Sequence, residues 1–220
     1  MVYKLFDMDP IDVDPDGICE NQTTAGAANL VLNGALVDLN PAGAFDVYLA
    51  GYSSGIGGVR IAIDSAGDIS SVVFTVYGTD QDGVTRTETI TGVTTTAVNS
   101  VTFWQTITRI AASAAVGSNV FVGPVNQVIT PSLVLNWRND YPATFVVSGL
   151  TGTCQYDIEE TNSELNAATD PAALSWAVSQ SNKSADLVGS LLNYSTAARL
   201  RFDSYSSGAE LQFSARQNDW

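Results

Sequence analysis

Between residues 57 and 122 the chain reads GGVRIAID, SSVVFTVYGTDQDGVTRTETITG, NSVTFWQTITRI and SNVFVG, each segment closed by Gly, Asp, Asn or Ser. β-Branched and aromatic residues fit a pleated, half-buried surface, and turn formers at this spacing divide such a surface into short antiparallel strands. Val59, Ile61 and Ile63 alternate with Arg60, Ala62 and Asp64, and Val72, Phe74 and Val76 alternate with Val73, Thr75 and Tyr77. One side of each segment is therefore apolar. Residues 86–91 are polar at most positions and predict an exposed or edge strand. Val101, Phe103, Gln105 and Ile107 predict another strand, which AASAAVGSN connects to Val120, Phe121 and Val122.

The same grammar resumes near Val125 with ATFVVSGL, TGTCQYDIEET, ARLRFDSY and AELQFSAR. Cys154, Tyr156 and Ile158 share one face, with Gln155, Asp157 and Glu159 opposite. Leu200 and Phe202 point inward and Arg199 and Arg201 outward. A hairpin at Ser206-Ser207-Gly208 turns Leu211, Phe213 and Ala215 inward. The fold class expected is all-β: two antiparallel β-sandwich or jelly-roll-like domains with an extended N-terminal arm. Residues 1–24 form the acidic arm, 25–124 the first domain and 125–220 the second, with 162–190 a long loop over one end. Asp170 before Pro171 reads as the start of a short helical turn, and Trp176 as the loop's anchor. Asn33-Gly34, between NLVL and ALVDL, reads as a hairpin turn.

Charge narrows the partners. Nine basic residues face 23 acidic ones, the net charge is −14, and there is no His. A nucleic-acid binder needs a basic stripe to displace counterions from phosphates, and anionic membranes repel an acidic surface. Neither partner is expected. Only 15% of residues are charged, so the polar surface is built from Thr, Ser, Asn and Gln, which suits a surface partly covered by neighbours. No run approaches the ~20 apolar residues of a membrane-spanning helix. The start MVYKLFDMDPIDVDPDG places Asp where a signal peptide is apolar. Assembly in the cytoplasm follows as the expectation, with Cys19 and Cys154 reduced.

Reactive chemistry has few candidates. Asp12, Asp14 and Asp16 before Gly17 resemble the opening of a Ca²⁺ loop, but Thr23 stands where the closing bidentate Glu belongs. They read as a solvated acidic arm, and no metal or cofactor is expected. Without His the commonest general base is missing. Cys154 lies on an apolar strand face, and Glu159 and Glu160, adjacent on a strand, point to opposite sides and cannot act as a pair. No catalytic residue and no enzyme activity are expected. Trp104, Trp137, Trp176 and Trp220 are core or interface anchors, or alternatively a sugar-stacking platform. A free, acidic N-terminal segment needs something to tie it down, and the expectation favours a neighbouring subunit over its own sheet. The partner-facing residues expected are Tyr3, Phe6, Asp9, Asp12, Trp176 and Trp220.

VFTVYGTDQDGVTRTETITG followed by FWQTITRIAAS resembles strand–turn–strand modules of virion structural proteins of tailed bacteriophages. TGTCQYDIEETN, a Trp-bearing loop and AARLRFDSYSSGAELQFSARQ resemble a companion β domain of small phage head and tail proteins. The resemblance covers roughly residues 57–122 and 145–217 and rests on β-hairpin grammar. It implies a non-enzymatic subunit, a capsid decoration or cement protein that binds and stabilises a phage head. The implied partners are the major capsid protein or other virion subunits and further copies of itself as a homotrimer, and the implied location is the virion. A tail or head–tail connection subunit is the alternative, and a glycan-binding adhesin a more distant one.

Overall fold

A computed structural model describes residues 2–135, 143–163, 174–191 and 195–217, the side chains of Val2 and Tyr3 excepted. Among the described residues there are strands and no helix. In chain order they are β1 (Val2–Met8), β2 (Cys19–Thr24), β3 (Ala28–Asn29), β4 (Phe45–Asp46), β5 (Gly58–Ser65), β6 (Val73–Asp80), β7 (Thr85–Thr91), β8 (Val98–Asn99) and β9 (Trp104–Ala112). They continue as β10 (Val116–Ile129), β11 (Leu133–Val134), β12 (Thr144–Thr151), β13 (Cys154–Thr161), β14 (Ala177–Lys183), β15 (Leu187–Ser190), β16 (Ala197–Tyr205) and β17 (Glu210–Gln217). The fold is all-β, built from large antiparallel sheets in the manner of a β-sandwich. It divides into a central unit, Val13–Tyr52 with Gly57–Asn126, and a terminal unit, Met1–Asp12 with Ser53–Ile56 and Gln127–Trp220.

In the central unit the strands run β10-β5-β9-β6-β7, with β2 on β10, β3 and β4 on β9, and β8 on β5. Val59, Ile61, Ile63, Phe74 and Val76 are all fully buried, together with Ile107, Ile110 and Trp104, as the alternation predicts. The hairpin from Val73↔Thr91 to Thr79↔Thr85 keeps an unbroken register. At its turn the Asp80 carboxylate accepts the N–H groups of Asp82 and Val84, both at 3.0 Å.

Two local readings are corrected. Asn33-Gly34 joins no strand pair. The Gly34 N–H donates to the Ile18 carbonyl at 3.1 Å, and a Cβ at Gly34 would collide with the Gly17 backbone. This glycine permits two main chains to touch. Val101 to Phe103 form no strand either: the Glu88 carboxylate accepts the N–H groups of Val101 (2.7 Å) and Thr102 (2.9 Å), leaving Val101 79% exposed. The strand begins only at Trp104.

The terminal unit has a four-stranded sheet, β1-β17-β12-β15. In the other sheet β14, β13 and β16 are neighbours, with β11 on β16 and the last residue of β10, Ile129, opposite Arg201. Phe6, Met8, Phe145, Val147, Leu211 and Phe213 of the first sheet are buried, as are Tyr156, Ile158, Leu200 and Phe202 of the second.

The acidic arm is therefore not a separate element on a neighbour. Residues 2–8 pair along β17 of the same chain, from Val2↔Gln217 to Met8↔Leu211, because Phe6 and Met8 give the segment one apolar side to bury. Residues 19–24 pair with β10 in the central unit. Ser53 fixes β1 from the side: its Oγ donates to the Asp7 carbonyl at 2.6 Å and accepts the Asp9 N–H at 2.9 Å. The expected loop 162–190 is also corrected, since β14 and β15 lie within it. Both are short strands at sheet edges, where water can satisfy one side and a long apolar pattern is not required; β14 is largely polar and β15 is only four residues, Leu187–Ser190. Asp170 and Pro171 lie outside the described residues.

Candidate functional site

Strand alternation and register together define the outer face of the four-stranded sheet. Leu5 stands opposite Ser214, Ser214 opposite Val146, and Val146 opposite Val188. These four positions form a row across all four strands, and Leu5, Val146 and Val188 are 44%, 36% and 72% exposed. Outward positions of a solvated sheet face are ordinarily polar, so three aliphatic groups in one row mark a surface suited to contact.

The rows on either side differ in charge. On one side stand Arg216, Thr144 and Ser190. On the other stand Asp7, Gln212 and Ser148, where Gln212 Nε2 donates to Asp7 Oδ1 at 2.9 Å and fixes that carboxylate. Beyond this row an open cleft of about 410 Å³ is lined by Asp7, Asp9, Ser53, Gly149, Glu210 and Gln212, among others. Gly149 lies in the irregularity between Ser148 and Thr151 with φ +70°, a backbone setting that favours glycine.

The densest charge lies on the other sheet. Register sets Asp157 opposite Arg201 and Glu159 opposite Arg199. Arg201 donates from Nη1 to Glu159 Oε1 (2.6 Å), from Nη2 to Asp157 Oδ2 (2.9 Å) and from Nε to Asp203 Oδ1 (2.9 Å). Arg199 Nε donates to Glu159 Oε2 at 2.7 Å, and the Trp176 ring lies 3.8 Å from its guanidinium carbon. Asp157 Oδ1 accepts the Asn182 N–H at 2.8 Å, at a residue whose φ is +51°. The ladder thus ties β13 to β16 and holds an irregular turn of β14. Burial, and then the Asp157 carboxylate, push Asp203 above the usual carboxylate range, against the pull of Arg201. Arg201 itself is raised: its three carboxylate partners outweigh the effect of burial. Glu160 has a different partner from Glu159, accepting the Ser195 hydroxyl at 2.6 Å.

The residues expected to face a partner are scattered. Phe6 is corrected: it is 2% exposed and stacks on Phe213 with centroids 6.2 Å apart, inside the terminal unit. Asp9 and Asp12 are exposed, and Asp9 reaches the cleft. Trp176 is half-buried against Arg199, whereas Trp104 is wholly buried. The Tyr3 side chain, Trp137 and Trp220 lie outside the described residues. In the Asp12, Asp14 and Asp16 segment, burial and a hydrogen bond with Asp16 raise Asp14. Among the described residues no three His, Cys, Asp or Glu side chains gather in a manner that could hold a metal. Both thiols are free and buried, and burial pushes Cys19 up to about 12 and Cys154 up to about 11.

Sequence reading missed Val146, Val188, Glu210 and Gln212. The signal was present in TFVVSGL: with Phe145 and Val147 inward, Val146 must face out. No family model, curated protein or solved structure matches the chain.

Proposed function

We propose that this chain is a non-enzymatic structural subunit of a tailed-bacteriophage virion, a decoration or cement protein that attaches to the head through the outer face of its four-stranded sheet. The observation that supports this reading is the exposed row Leu5, Val146 and Val188 on a rigid sheet whose opposite side is core. Aliphatic groups on strands are already ordered, so a partner covering them gains burial without freezing a loop. At ~25 cal/mol per Å², such a row contributes to a lasting contact among many copies. The sequence resemblance supplies the class of partner, the major capsid protein, and a trimer as the self-assembly state.

Binding of the purified chain to expanded phage heads tests the proposal, with the chain's solution mass measured in parallel. Saturable binding that Val188→Asp combined with Val146→Asp abolishes, while the circular dichroism melt stays unchanged, is the expected result. Absence of binding to heads, or binding indifferent to both substitutions, would overturn it.

A further inference from the structure

The outer face of the four-stranded sheet is graded along its strands. Arg216 lies at one end, the aliphatic row comes next, and then Asp7, Gln212 and the cleft that Asp9 and Glu210 enter. Successive outward residues on a strand are about 7 Å apart. The carboxylates of Asp7 and Glu210 therefore begin one and two such steps from the row. Among the described residues the carboxylates of Asp7, Asp9 and Glu210 outnumber the Arg216 guanidinium on this face, in a chain of net charge −14. Two copies packed on these faces would leave most of those carboxylates uncompensated, with like charge opposed. A complementary partner must bring cations.

We infer that this face receives an extended segment of another protein that presents aliphatic side chains and, two to four residues further along the same side of the segment, an arginine or lysine, the cation entering the cleft between Asp7, Asp9 and Glu210. The inference rests on the reading of the chain as an assembly subunit and adds the chemistry of its partner. The aliphatic side chains of the segment cover Leu5, Val146 and Val188. A basic side chain two to four residues further on reaches the cleft, where Asp7 is already oriented by Gln212 and no loop has to order. Rim charges of this kind act on encounter rate and register and weaken with salt.

The test uses the isotope-labelled full chain, titrated with a capped valine–serine–valine–serine–arginine peptide, whose valines and arginine share one side of an extended segment, and its counterpart with norleucine in place of arginine, and followed by amide chemical shifts. The arginine peptide is expected to give saturable shifts at Ser53, Gly149 and Gln212 that fade in about 0.5 M salt. Asp9→Asn and Glu210→Gln, both at exposed positions, should each weaken it about fivefold, on the scale of one exposed ion pair. Norleucine should leave the cleft signals unmoved. Equal binding of both peptides, or shifts spread without saturation over unrelated carboxylates such as Asp38, would overturn the inference. A dimer dissociated by Val188→Asp would overturn it in favour of a second copy. Heads that bind this face while the arginine peptide does not would defeat the inference alone; peptide binding without head binding would support it and defeat the virion assignment alone.

Discussion

The two units bury different things. Around Trp104 the central unit packs Val, Ile and Phe side chains at or near zero exposure. The terminal unit buries Phe145, Phe202 and Phe213 in the same way, but with them it buries Asp157, Glu159 and Glu160, where the central unit buries the Asp80 carboxylate, 2.7 Å from Arg86 Nε. The first pattern follows from non-directional transfer of apolar area out of water. The second is stable only because each buried carboxylate meets a donor, Asp157 and Glu159 on β16 and Glu160 at Ser195 just before it, and removing one partner leaves a charge stranded. Both units are sensitive to changes of shape, and the terminal unit has the more extended set of buried charges to disturb.

Trp104→Ala sharpens the contrast most, with an expected loss of about 4 kcal/mol from the central unit, measured by urea unfolding followed by far-ultraviolet circular dichroism. Trp104→Phe should lose about 1–2 kcal/mol, because among the described residues the buried indole Nε1 has no hydrogen-bond partner to forfeit. Equal losses in the two variants would show that the indole N–H matters and break the account of an apolar core.

Arg201→Met comes next. Its side chain retains 29% exposure, so the expected destabilisation is roughly 2–3 kcal/mol, below the range of a wholly buried pair. Amide exchange should accelerate in β13, β14 and β16 and not in the central unit. No change would mean that the ladder contributes nothing and that the two units are alike. Tyr156→Phe is smaller. It removes a hydroxyl that donates to the Ala185 carbonyl at 2.6 Å, a loss of about 1 kcal/mol by the same unfolding measurement.

The finest probe is pH. Asp203 is held above its ordinary value of 3.8 in the folded chain, chiefly by burial. The native state therefore binds this proton more tightly than the unfolded one. Its contribution is fully present below the ordinary value and is lost as pH rises through the folded value. Asp203→Asn should thus gain stability relative to the parent as pH rises above the ordinary value of 3.8, read from unfolding midpoints at a series of pH values. A difference that is flat or runs the other way would remove Asp203 from the ladder's pH response.

Much of the fold was legible because alternation and register are local properties. Val59, Ile61, Ile63, Leu200, Phe202 and Phe213 declare their side by their neighbours in sequence. What escaped was set by distant chain. Asp7 and its acidic surroundings gave residues 1–24 the composition of a free arm, and only β17 reveals that Phe6 and Met8 have a place to go. Residues 177–190 escaped because a polar or very short edge strand looks like a loop. The candidate site escaped for a related reason: Leu5, Val146 and Val188 lie far apart in sequence and become one row only when cross-strand register joins them. The carboxylates of β13 were correctly set opposite the apolar side, but their burial depended on arginines some forty residues away.

Order of synthesis gives the β1–β17 pairing one more meaning. Of the strands described, β1 is made before all the others and its partner β17 after them. The nascent chain holds Phe6 and Met8 without their partner strand until β17 has emerged, while every strand assigned to the central unit, apart from the final residues of β10, has been complete since residue 126. The outer face with its row of aliphatics therefore does not exist until β17 has been made and joins β1 to β12.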